Sequence, residues 1–80
     1  MKLYDKLREI SKTHELNTGL KLRVYFKKKN RKPCEGYYDG YTDALDNEPE
    51  ITQLELRLFY DYPGTVSMYE TEIEDIEVVE

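Results

Sequence analysis

Two glycines four residues apart, Gly36 and Gly40, place the strongest constraint on how this chain can fold, because they interrupt a strand-like segment. The segment, residues 36–47 (GYYDGYTDALDN), is rich in tyrosine and leads into an acidic turn. Glycine destabilises a strand interior and usually marks a sharp bend or the close approach of another backbone. The spacing therefore predicts the strong curvature that a small closed β-barrel requires.

The chain length and the scarcity of metal-binding residues narrow the possible functions. Eighty residues allow one domain, 1–80, with one small core. No apolar run is long enough to span a membrane, and no apolar signal-peptide segment follows the charged N-terminus, so a cytoplasmic protein is expected. Cys34 is the one cysteine and His14 the one histidine, which excludes an intrachain disulfide and disfavours zinc. We expect no cofactor, and Cys34 to be a bystander thiol.

Charge is divided unequally along the chain. Residues 1–32 hold eleven Lys and Arg against three carboxylates, whereas residues 33–80 hold Arg57 against fourteen carboxylates. The halves of so small a domain must fold together, so neighbouring strands are expected to neutralise one another. The alternative is a bipolar surface that drives head-to-tail association or meets a charged partner.

Apolar residues at three- and four-residue spacing predict an amphipathic helix over about residues 2–16. Residues 17–19 (Asn-Thr-Gly) tolerate the left-handed conformation and predict its C-cap. Such a helix is stable only when its apolar stripe packs against the rest of the protein, here as a lid over one end of a barrel. The stripe comprises Leu3, Leu7, Ile10 and His14, together with Tyr4.

From residue 20 the apolar spacing changes to two, which predicts five short antiparallel strands. The first three cover about residues 20–27, 34–42 and 53–60. The fourth begins at Val66, and the fifth follows a short break at residues 70–72. The inward side chains of the third strand are expected to be Leu54, Leu56, Leu58 and Tyr60. One helix followed by five closely spaced strands, over residues 19–80, favours a mostly β fold in which the sheet closes into a barrel.

The order of elements resembles the Sm-like family, SH3-like barrels that assemble into RNA-binding rings. Gly36, Tyr38, Gly40, Tyr41 and Leu45 fall on the glycine, apolar, glycine, aromatic and methionine positions of the family's first motif. Met68, Ile73 and Ile76 keep the apolar spacing of its second motif. The run ALDNEPE and the acidic tail are similar to small uncharacterised Sm-like proteins of Gram-positive bacteria. The resemblance implies a five-stranded antiparallel SH3-like (Sm-like) barrel with an N-terminal α-helix, of bacterial origin.

The residues that read RNA in that family differ in this chain. Thr42, Ala44 and Asp46 fall on its motif Asp, its stacking residue and its base-binding Asn. Tyr69 and Glu70 replace the Arg-Gly pair of the second motif. Carboxylates in these places oppose a phosphate-rich ligand, so family-like uridine binding is not expected.

Neither catalysis nor a metal site is favoured. An enzyme requires a nucleophile, an acid–base pair or a metal in a pocket, and a barrel of this size has its interior filled by side chains. We therefore expect no enzymatic activity. Calcium is a conceivable ligand of an acidic loop, but the spacing does not match an EF-hand, and a solvated turn with Asx-type hydrogen bonds is favoured. The loop's oxygen ligands would be Asp43, Asp46, Asn47, Glu48 and Glu50.

Two binding functions remain. The leading hypothesis is a protein-interaction module that binds another protein or a second copy of itself, because the chain has more aromatic residues than one small core needs, and outer tyrosines favour protein contacts. The candidate tyrosines are Tyr37, Tyr41, Tyr62 and Tyr69. The alternative is weak RNA or other nucleic-acid binding through a basic hairpin tip. Its candidate residues are Lys27, Lys28, Lys29, Arg31 and Lys32.

Overall fold

The computed structural model describes residues 2–46, 51–58 and 64–80, which form one helix and a five-stranded antiparallel sheet. The mostly β class and the N-terminal helix are thus confirmed. The sheet order is β4-β3-β2-β1-β5. The elements are α1 (Leu3–Ser11), β1 (Lys21–Phe26), β2 (Cys34–Thr42), β3 (Gln53–Arg57), β4 (Val66–Tyr69) and β5 (Ile73–Val78), with 3₁₀ turns at Ala44–Asp46 and Glu70–Glu72.

The sheet is strongly curved, because its two edge strands are consecutive in sequence. A flat sheet would separate β4 from β5 by four interstrand spacings, or about 19 Å. The chain from Tyr69 to Ile73 spans at most about 14 Å. The end of β4 and the start of β5 must therefore converge, although the two strands do not pair with each other in the described part of the sheet.

Both glycines of β2 meet a local requirement, as their spacing predicted. A Cβ at Gly36 would lie 2.8 Å from the carbonyl oxygen of Arg57 and 3.0 Å from Cβ of Leu56 on β3. Gly40 has a φ of +117°, which L residues rarely adopt. The β2–β3 register shifts between Tyr38 and Gly40, so a bulge bends the strand there.

One hydrophobic core joins the helix to the sheet. The helix contributes three buried side chains, which stabilise the fold by about 1.5–3 kcal/mol each. At nine residues, α1 is too short to be stable alone. Among the described residues, no helix is long and apolar enough to cross a membrane. The core consists of Leu3, Leu7, Ile10, Leu22, Val24, Phe26, Leu54, Leu56, Met68, Ile73 and Ile76.

The helix is shorter than the predicted 2–16 and ends at Ser11. The hydroxyls of Ser11 and Thr13 donate to the carbonyl oxygens of Arg8 and Ile10, which competes with continuation of the helix. His14 consequently lies beyond the helix, with Nε2 2.6 Å from the Glu80 carboxylate, rather than on the packed stripe.

The predicted left-handed cap at residues 17–19 is wrong. Gly40 is the one residue with a positive φ in the part of the chain that the structure describes. Asn17 instead forms an Asx turn, in which its Oδ1 accepts a hydrogen bond of 2.9 Å from the Gly19 amide.

The third strand is also shorter than predicted, because its regular pairing ends at Arg57. Leu54 and Leu56 are buried as expected, but Leu58 lies past the strand and is 38% exposed, so its inward assignment is wrong. Tyr60 lies outside the described residues. The break at 70–72 and the strand that follows it are confirmed.

Candidate protein-binding surface

An open groove of about 200 Å³ lies between α1 and β2. It is open to solvent, and its floor is apolar because α1 turns Leu7 toward the core while Leu16, after the helix, packs against that core. The lining residues are Tyr4, Leu7, Arg8, Ser11, Leu16 and Tyr41. This groove, the α1–β2 groove, is the candidate site.

Two tyrosines form an aromatic rim beside the groove. The ring centroids of Tyr4 and Tyr41 are 6.4 Å apart, with 67° between the ring planes, an edge-to-face arrangement. Tyr4 is 55% exposed and Tyr41 is 37% exposed. Large apolar area is thus held in a defined geometry while it still faces water.

The helix periodicity explains why Tyr4, Arg8 and Ser11 share the groove. Positions four and three residues apart lie on one helix face, and this face is next to the buried stripe of Leu3 and Leu7. Tyr4 was expected on the apolar stripe of the helix, but its ring lies at the edge of the core rather than inside it. The Arg8 guanidinium has no ion pair with any residue that the structure describes.

A leucine projects into solvent four residues after Tyr41. Leu45 is 87% exposed, in the 3₁₀ turn that follows β2. The Asp43 carboxylate accepts a hydrogen bond of 3.3 Å from the Leu45 amide, and the Thr52 hydroxyl accepts one of 3.1 Å from the Ala44 amide. These bonds fix the turn, so Leu45 is held outward as a knob.

The tyrosines proposed for protein contact divide into different environments. Tyr41 lies on the groove. Tyr37 is half-buried on β2, with the Lys21 ammonium 5.9 Å from its ring centroid, and Tyr69 is half-buried on β4. Tyr62 lies outside the described residues. Sequence reasoning assigned no binding role to Tyr4, the partner of Tyr41.

The basic hairpin tip between β1 and β2 keeps its lysines in solvent. Lys27, Lys28, Lys29 and Lys32 are exposed and have no ion pair within residues 2–46, 51–58 and 64–80. Arg31 differs, because its guanidinium lies 3.6 Å from the Phe26 ring centroid and 2.5 Å from the Glu72 carboxylate. Arg31 therefore has both an aromatic and an acidic partner within its own chain.

Most of the opposite charge on the sheet is neutralised between neighbouring strands, as expected from the sequence. Arg23 on β1 contacts Glu35 on β2 at 2.8 Å and Glu77 on β5 at 2.6 Å. The hydrogen bonds that Arg23 donates to Tyr25, Glu35 and Glu77 raise the pKa of Arg23. The hydrogen bond from Arg23 lowers the pKa of Glu35. The pKa of Glu77 is lowered mainly by the hydrogen bond from the Tyr25 hydroxyl, and further by the hydrogen bond from Arg23.

Glu70, in the 3₁₀ turn between β4 and β5, stabilises the N-terminus of α1. The Glu70 carboxylate accepts a hydrogen bond of 3.0 Å from the Leu3 amide at the N-terminus of α1. Lys2, at the N-cap, makes no side-chain capping hydrogen bond. Glu70, in the β4–β5 turn, supplies the cap instead. Thr42, at the position of the motif Asp, donates to the Glu55 carboxylate at 3.1 Å.

In the described part of the chain, Asp43 of the acidic loop is held in a turn and the Cys34 thiol is half-buried. Asp43 forms the expected Asx-type bond, while Asn47, Glu48 and Glu50 lie outside the described residues. No group of three or more His, Cys, Asp or Glu in the described ranges is arranged to hold a metal ion. Burial raises the pKa of the half-buried Cys34 thiol, which lowers the fraction of reactive thiolate.

Comparison with known proteins gives no family assignment. No family model, curated protein or solved structure matches this chain.

Proposed function

We propose that this chain is a non-catalytic binding module with an Sm-like, SH3-like barrel fold, and that it binds a protein segment in the α1–β2 groove. The fold proposal is supported by the strand order, by the convergence of the edge strands at residues 70–72, and by the bulge at Gly40. A bacterial cytoplasmic protein is part of the same proposal, which rests on the resemblance of residues 44–50 (ALDNEPE) and of the acidic tail to small Sm-like proteins of Gram-positive bacteria.

The observation that supports this function is the pair of ordered tyrosines beside an apolar groove that faces solvent. Protein interfaces are enriched in Tyr and Arg, and their binding energy concentrates where such side chains surround a desolvated pocket. Tyr4, Tyr41 and Arg8 have this composition, and the floor of Leu7 and Leu16 can exclude water from a bound apolar side chain. Burial of one such side chain contributes about 1.5–3 kcal/mol.

Selection from a displayed random-peptide library would test the proposal. The wild-type chain is the target, and a Tyr41→Ser variant is the counter-target. A melting transition measured by circular dichroism shows that this variant is folded. We expect peptides with large apolar side chains to bind the wild type and to lose at least tenfold in affinity for Tyr41→Ser.

A Tyr37→Ser variant is the matched control, because Tyr37 lies on the same strand and does not line the groove. Its affinity for the selected peptides should equal that of the wild type. Failure to enrich any peptide over the counter-target, or equal losses in both variants, would contradict the proposal.

Nucleic-acid binding at the basic tip is the second candidate, supported by the exposed lysines and by their lack of ion pairs within the described ranges. Charge reversal of Lys27, Lys28 and Lys29 to Glu should abolish any binding of oligo-uridine at low salt and leave peptide binding in the groove unchanged. Binding measured at several salt concentrations should weaken as salt rises. Absence of binding, or binding that does not depend on salt, would remove this candidate.

The tip also provides a matched control. Arg31→Gln removes one positive charge, but this charge is already paired with Glu72. We expect it to lower stability more than it lowers oligo-uridine binding, whereas Lys28→Gln should do the reverse.

A further inference from the structure

We infer that the segment that occupies the α1–β2 groove is the Leu45 knob of a second copy of this chain. The inference rests on the proposed function, because it names the partner for the same groove. It is drawn from three features of one molecule: the match in size and polarity between the groove and an exposed leucine, the opposite charges beside them, and the placement of both at one end of β2.

The first feature is a match in size and polarity. Removal of one leucine side chain from a protein core leaves a cavity of about 150 Å³, and the groove measures about 200 Å³. Leu45 is 87% exposed and is not among the residues that line its own groove. Association would therefore move the Leu45 side chain out of water and into a space lined by Leu7, Leu16 and Tyr41.

The second feature is charge complementarity. Arg8 lines the groove, and no described residue of its own chain forms an ion pair with it. Asp43 is exposed two residues before Leu45, with one carboxylate oxygen bound to the Leu45 amide. When Leu45 of one copy enters the groove of the other, Asp43 of the first copy approaches Arg8 of the second, and opposite charges meet at the rim.

The third feature is the placement of knob and groove. Tyr41 ends one wall of the groove, and Leu45 follows it by four residues, so both lie at the same end of β2. A two-fold axis then allows each copy to insert its knob into the other. Two knobs and two tyrosine rims make a small contact, so we expect weak association, with the mean mass rising between about 10 μM and 1 mM.

Charge reversal gives a sharp test by sedimentation velocity. Arg8→Glu places a carboxylate opposite Asp43 of the second copy, and Asp43→Arg places a cation opposite Arg8. Neither variant should self-associate at concentrations where the wild type does. Their equimolar mixture should associate like the wild type, because in the mixed dimer both contacts join opposite charges.

Control variants distinguish the loss of this contact from a change in the conformation of the turn and from a change in nonspecific hydrophobic association. Asp43→Asn keeps the side-chain oxygen that bonds to the Leu45 amide and should associate less than the wild type. Leu45→Glu should be monomeric, whereas Leu58→Glu, which changes an exposed leucine outside the groove, should associate normally. All variants should keep a cooperative melting transition.

The outcomes distinguish the inference from the proposed function. A wild type that stays monomeric to 1 mM, or a mixture that fails to associate while the wild type does, overturns the inference. If selected peptides still bind in a Tyr41-dependent way, the groove remains a protein-binding site with another partner. If neither peptides nor a second copy bind, the proposed function fails as well.

Discussion

Substitution of Gly36 by alanine tests the packing between β2 and β3 directly. The added Cβ would lie 2.8 Å from the Arg57 carbonyl oxygen, closer than real Cβ atoms approach other atoms, and 3.0 Å from Cβ of Leu56, which is also a tight contact. The carbonyl oxygen belongs to the backbone of a paired strand, so it cannot rotate away as the end of a long side chain can. The two strands must separate locally, or their hydrogen bonds must distort.

Two opposing contributions set the size of the effect. Overpacking of this kind costs about 1–3 kcal/mol. Gly36 has no positive φ, so alanine also restricts the unfolded chain and offsets about 0.4–1 kcal/mol of that cost. We expect the free energy of unfolding to fall by about 1–2 kcal/mol. In urea, with an m-value of about 1 kcal/mol/M for a small domain, the midpoint should fall by about 1–2 M.

Equilibrium unfolding in urea, followed by circular dichroism, measures this change. Gly19→Ala is the matched control, because the nearest atom to its Cβ would be the Asn17 side-chain oxygen at 3.3 Å, in an exposed turn that can adjust. Its midpoint should stay within about 0.5 M of the wild type. If Gly36→Ala is as stable as the wild type, then β2 and β3 do not approach each other at Gly36 as closely as these distances indicate.

Two further predictions concern charge and capping. Because Arg23 lowers the pKa of Glu35, and Tyr25 and then Arg23 lower the pKa of Glu77, the contribution of Arg23 is present at neutral pH and is lost as the pH falls below the ordinary carboxyl value of 4.5. Melting temperature should therefore drop more between pH 7 and pH 3 in the wild type than in Arg23→Gln, and equal drops would contradict the pairing. Glu70→Ala removes the cap of α1 and should lower stability by about 1 kcal/mol, a fall in melting temperature of about 4–8 °C. Glu74→Ala, exposed on β5, is its control, and equal melting temperatures for the two variants would refute the capping role.

The strand pattern could be predicted from sequence because β1 and β3 alternate regularly between buried and partly exposed residues. The bounds of β2, 34–42, were predicted correctly, since Pro33 limits the strand before Cys34 and the acidic turn follows Thr42. The glycine spacing predicted curvature, which the bulge at Gly40 supplies. The length of the helix was predicted less well, because periodicity does not register the hydroxyl hydrogen bonds that end it at Ser11.

The candidate site was predicted only in part. Tyr41 was singled out, but its partner Tyr4 was assigned to the helix stripe, and its exposure depends on the angle at which α1 packs on the sheet. Leu16 was included in the predicted helix, whereas it follows the helix and lines the groove. These relations join residues far apart in sequence, so local periodicity cannot supply them. Neutralisation of charge between strands was predictable, because neighbouring strands must bring the two unequal halves together.

The central claim, that copies of this chain meet through the α1–β2 groove, is tested most directly by amide chemical shifts over a concentration series. Two-dimensional ¹H–¹⁵N spectra recorded from about 10 μM to 1 mM should show changes that concentrate at Tyr4, Arg8 and Tyr41 in the groove and at Leu45 on the knob. Changes confined to the edge strands β4 and β5 would instead indicate strand-to-strand assembly. Such a pattern would contradict the assignment of the groove as the surface where copies of this chain meet.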